Sequence, residues 1–122
     1  KFIENGKTFV FLTDNELGFI HPGGLPKDHY VEFAYGADLL FHDAEYTPEE
    51  YESKVLWGHS AYTEAIDLAI QAGVKKLGLF HLNQERADDE VDRIVDCSQE
   101  IISSAGHQLE CFAVAAGMTF EL

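Results

Sequence analysis

Three short apolar runs constrain the fold of this chain more than any other feature. They are Lys7–Thr13 (KTFVFLT), Asp38–His42 (DLLFH) and Lys76–Phe80 (KLGLF). Each is too short for a typical helix, and the first is rich in β-branched and aromatic residues, as buried strands are. Helical patterns fill the intervals. Thr47-Pro48-Glu49-Glu50 reads as a helix start, with threonine as cap, proline in the first turn and Glu50 completing a capping box. Ala61, Tyr62, Ala65, Ile66, Ala69 and Ile70 recur at helical spacing until Gly73. A longer helix is predicted over Asp88–Ala105, with Val91, Ile94, Val95, Ile101 and Ile102 as its buried stripe and acidic residues in its first turn. A short helix is predicted over Asp28–Tyr35, and strands over Leu109–Val114 and Met118–Leu122. Residues 14–28, rich in glycine and proline, read as a loop. Strands alternating with helices predict an α/β layer domain, and no linker or repeat divides residues 1–122.

Charge narrows the function. Eight Lys and Arg face 22 Asp and Glu, a formal net charge of −14. So acidic a surface argues against strong non-specific nucleic-acid binding by these residues. No apolar run is long enough to span a membrane, and no signal peptide opens the chain, so a cytoplasmic protein is expected. Cys97 and Cys111 show no paired spacing and read as reduced thiols. The sole methionine is Met118, so the chain is expected to be processed or to be a piece of a longer protein.

Three polar residues stand just past apolar segments, where α/β folds place their sites: Asp43, His59 and His81. An aspartate and two imidazoles can bind a borderline metal such as zinc. Spacing alone also allows a turn aspartate, a strand-end histidine and a helix-capping histidine. Asp14, after the first strand, reads as a structural residue or one that supports metal ligands. Trp57, Phe80, Phe112 and Phe120 read as packing aromatics, and Tyr46, Tyr51 and Tyr62 as partly wet neighbours of a cleft. Arg86 is expected to pair with Asp88 or Asp89.

The wording of these segments goes further. His42–Tyr51 (HDAEYTPEEY) and Trp57–Ser60 (WGHS), followed by a helix and a strand ending in Phe80-His81, resemble the metallo-β-lactamase-fold hydrolases. The likeness is to the phosphodiesterase-like branch that includes the transfer-RNA 3′-processing endonuclease and cyclic phosphodiesterases, and it runs from about Phe9 to Ile94. It implies an α/β chain forming the C-terminal half of a four-layer αββα fold, a mixed sheet with helices on one face. It implies two divalent ions, zinc foremost with manganese or iron as alternatives. Asp43 would bridge them as a catalytic residue and ligand, His81 would ligate one, and His59 would serve the substrate phosphate as proton donor or charge stabiliser. The implied substrate is a small-molecule or nucleotide phosphoester. The family's His-x-His-x-Asp-His motif is absent, and His21 is a poor substitute. An N-terminal half of the same fold is therefore the expected partner, the 122 residues alone are expected to be inactive, and the exposed sheet is expected to favour a homodimer. A metal-free interaction domain derived from the hydrolase is the alternative. A phospho-accepting signalling module fits poorly, because no lysine follows Lys76.

Overall fold

A computed structural model describes residues 1–122. One five-stranded sheet carries the chain, with strands in sequential order: β1 (Phe2–Glu4), β2 (Lys7–Leu12), β3 (Leu39–Asp43), β4 (Lys76–Phe80) and β5 (Glu110–Ala113). β1 and β2 form an antiparallel hairpin, and the remaining pairs are parallel, so the sheet is mixed. Asn5 and Gly6 both take positive φ in the hairpin turn, the conformation a two-residue connection demands. The pattern reading missed β1, a three-residue exposed strand with no buried face.

Helices α1 (Lys27–Ala34), α3 (Tyr62–Gln71) and α4 (Asp88–Ser104) pack on one face. Val10, Leu40, Leu77 and Leu79 meet Ala34, Ala65, Ile66, Leu68, Ala69, Ile94 and Ile102 in a single core. The buried stripe of α4 is Ile94, Ser98 and Ile102, and Ile101 is exposed, unlike the prediction. Ser98 holds a core position because its hydroxyl donates to the Ile94 carbonyl one turn back, at 2.6 Å. The short α2 (Pro48–Tyr51) starts with the predicted capping box of Thr47 and Glu50. At α3 and α4, Glu64 and Glu90 each accept the backbone N–H of the alanine before the helix. No helix is long and apolar enough to cross a membrane.

The alternate side chains of the strands form the other face, an aromatic layer. Phe9 meets Phe41, Phe11 meets Phe80, and Phe41 meets Phe112 and Phe120 through ring contacts of 4.9–6.4 Å between centroids. Met118–Leu122 is not a strand: this segment lays Phe120 against Phe41 and Phe112. Phe80, Phe112 and Phe120 are thus packing aromatics as predicted. Trp57 is not; it is 63% exposed. The 122 residues build one helical layer and one sheet.

Candidate functional site

Parallel pairing of β2, β3 and β4 brings their carboxyl ends to one edge of the sheet. Asp14 lies two residues beyond β2, Asp43 ends β3, and His81 directly follows β4. His59 arrives from the loop before α3. One ligand atom from each of Asp14, Asp43, His59 and His81 lies within 4.8 Å of the others. The predicted trio therefore converges, with Asp14 as a fourth member. The end-of-strand rule that singled out Asp43 and His81 applies equally to Asp14, and was the signal available for it.

The four residues differ in setting. Asp43 is fully buried. Its Oδ1 accepts the Ser60 N–H at 3.0 Å, and its Oδ2 lies 2.6 Å from His59 Nδ1 and 3.3 Å from His81 Nδ1. The two Nδ1 atoms are 3.2 Å apart. Asp14 Oδ1 stands 4.0 Å from His59 Nδ1 and 3.7 Å from His81 Nδ1, on a side chain open to solvent. Asp14 and His81 both adopt left-handed backbone conformations, with φ of 49° and 55°. Such conformations in non-glycine residues cluster where the chain is held for function. Glu45 Oε2 approaches from the rim, 3.4 Å from His59 Nε2 and 3.6 Å from His81 Nδ1. Burial pulls the His59 pKa down, but the Asp43 hydrogen bond and the charges of Asp43, Glu45 and Asp14 outweigh it and raise it overall.

The surrounding residues are braced. His42 is completely buried, which lowers its pKa and keeps its imidazole neutral. Its Nδ1 lies 2.7 Å from the Asp43 carbonyl and its Nε2 lies 3.1 Å from Asn15 Nδ2, so Nδ1–H donates and Nε2 accepts. β3 thereby grips the turn that carries Asp14. Tyr46 is buried, its ring 6.2 Å from that of His59. His21 stays outside the cluster and pairs with Glu16. Arg86 grips Glu50 and the Glu45 carbonyl, not Asp88 or Asp89 as expected. This clamp fastens α2 to the loop after His81.

Comparison with known proteins places the chain in a family. The chain is 32% identical to ribonuclease Z of Halobacterium salinarum over 117 residues, which is 96% of this chain and 33% of that protein. Ribonuclease Z of Brevibacillus brevis is 37% identical over 87 residues, 71% of this chain and 24% of the relative. That of Haloarcula marismortui is 34% identical over 91 residues, 75% and 26% respectively. The chain is a relative of ribonuclease Z. It spans between about a quarter and a third of the length of these ribonuclease Z proteins. The motif resemblance and the similarity to ribonuclease Z thus lead to the same family, the metallo-β-lactamase-fold hydrolases. No family model matches the chain.

Proposed function

We propose that the chain is the C-terminal part of a metal-dependent phosphodiesterase, and that Asp14, Asp43, His59 and His81 are its contribution to the metal centre. The convergence of these four side chains at the carboxyl edge of the parallel strands carries the reading. Two carboxylates and the His81 imidazole suit a borderline divalent ion such as zinc, and the exposed Asp14 and His81 leave a route to it. A bound pair of ions would activate water and neutralise phosphate oxygens. Asp14, Asp43 and His81 supply ligands for one ion, with His59 beside them as the proton donor, and the remaining ligands come from the rest of the fold. The aromatic face of the sheet is where the expected N-terminal half would lie, completing the four layers.

The residues divide the work. Asp43 Oδ1 is occupied by the Ser60 N–H, and its Oδ2 both faces the ligand cluster and holds His59 Nδ1. Asp43 thus orients His59 as well as offering a ligand atom. With Nδ1 held by Asp43, His59 presents Nε2 for proton transfer to the leaving oxygen. His81 and Asp14 are the open ligands. RNA belongs among the substrates because the relatives are named as ribonucleases. The charge of −14 argues only against non-specific clamping of a phosphate backbone by these residues, so the clamp lies elsewhere in the protein.

Cobalt titration of the chain, followed by visible absorption, tests this reading. One ion per chain is expected, with binding lost in Asp14→Ala, Asp43→Ala and His81→Ala. Wild-type and variant chains that behave alike would leave the metal-free interaction domain as the better reading.

A further inference from the structure

We propose that Glu16 is a positioning residue of the site: its carboxylate is the internal anion around which the Tyr51–Gly58 loop folds, and this delivers His59 to Asp43. The proposal rests on reading His59 as part of the site, although the linkage can be tested with no metal bound.

The Glu16 side chain is fully buried and has four partners. Oε1 accepts the Tyr51 hydroxyl at 2.6 Å and the Leu56 N–H at 2.8 Å. Oε2 accepts the Gly58 N–H at 2.9 Å and lies 2.5 Å from His21 Nε2. Leu56 and Gly58 have φ of 80° and 88°. These left-handed residues on either side of Trp57 turn their N–H groups toward one point, a concave nest suited to an anion. Leucine seldom takes this conformation unless its surroundings impose it.

The loop has no hydrophobic anchor to do so. Val55, Leu56 and Trp57 are 40%, 60% and 63% exposed, and Trp57 has the Lys54 ammonium over its ring at 4.0 Å. A buried carboxylate with directional partners is what remains to set its shape. The next residues are fastened to the same turn: Ser60 Oγ donates to the Asn15 carbonyl at 2.6 Å and accepts the Leu17 N–H at 3.0 Å. His59 is thus suspended between two latches to the turn that bears Asp14, Gly58 bonding to Glu16 before it and Ser60 bonding to Asn15 and Leu17 after it. Asp14 and His59 cannot move independently, so one short acidic stretch sets both the exposed ligand and the proton donor.

The test uses the metal-free chain and NMR. In wild type, the His59 Nδ1 proton should resonate strongly downfield in its bond to Asp43, and the Leu56 and Gly58 amides should exchange slowly. Glu16→Gln keeps an acceptor oxygen but offers an N–H toward a donor. It should speed Gly58 exchange at least about tenfold and abolish the His59 signal. Glu16→Ala should open both amides, and Glu100→Gln on the exposed face of α4 should change none of these readouts. A His59 signal that survives in Glu16→Gln while the amides open would overturn the proposal. If the Glu16 variants do not fold, wild-type exchange decides, and rapid exchange of both amides would overturn it. A wild-type chain that shows the linkage but binds no cobalt would defeat the metal reading and leave the positioning role standing.

Discussion

At the scale of single residues, the site depends on strand ends and on close packing beneath them. Gly78 lies in β4, two residues before the strand ends at Phe80. A Cβ there would stand 2.5 Å from a Phe41 ring carbon and 2.6 Å from a Val114 methyl. Phe41 is not free to swing away, because it is wedged among Phe9, Phe80, Phe112 and Phe120. Gly78→Ala should therefore cost about 1–3 kcal/mol, the usual penalty of overpacking, measured as a lower urea midpoint. An unchanged midpoint would mean that the aromatic layer yields easily. Asp43 and His81 were legible in the sequence because each ends an apolar run. The sequence read Asp14 as structural or supporting, and its place in the cluster, with an open side chain and positive φ, appears only once β2 is paired with β3. Glu16 left no signal, since the loop partners that define its role, Tyr51, Leu56 and Gly58, lie 35 to 42 residues away.

At the scale of elements, the sequence disclosed most of the helices and strands but not how α2 is fixed. The Thr47–Glu50 box was readable because capping is local. The clamp from Arg86, whose side chain is only 8% exposed, was not. The Arg86 guanidinium holds the Glu50 carboxyl below its ordinary pKa, with the Thr47 N–H assisting. A depressed folded-state pKa stabilises the fold above the unfolded value of 4.5, and this contribution disappears as pH falls through the folded value. Glu50→Gln should thus lower stability by about 1 kcal/mol at neutral pH, a modest figure because Glu50 is partly exposed. The gap from wild type should narrow as pH falls below 4.5 and close once the folded-state Glu50 is protonated. Urea unfolding at several pH values checks this, and a gap independent of pH would show that charge is not what holds α2.

At the scale of the whole molecule, charge opposes compactness. A net charge of −14 on 122 residues repels itself, and salt screens that repulsion over roughly 10 Å at about 0.1 M. Raising salt from about 0.05 to about 0.5 M should lift the Tm by about 3–6 °C in calorimetry, and a Tm that falls would show that surface ion pairs dominate instead. The sequence by itself determined the α/β class, the alternation of strands with helices, and the identity of three of the four clustered residues. It could do so because period, caps and strand ends are local properties. Tertiary structure decided the remainder. Parallel pairing set three carboxyl ends side by side, exposing Asp14 while burying Asp43. The last residues became a cover over the aromatic face and not a strand, because Phe120 found rings to pack on. A carboxylate distant in sequence came to support the loop that carries His59. Each of these depends on contacts between distant residues, and no local pattern encodes such contacts.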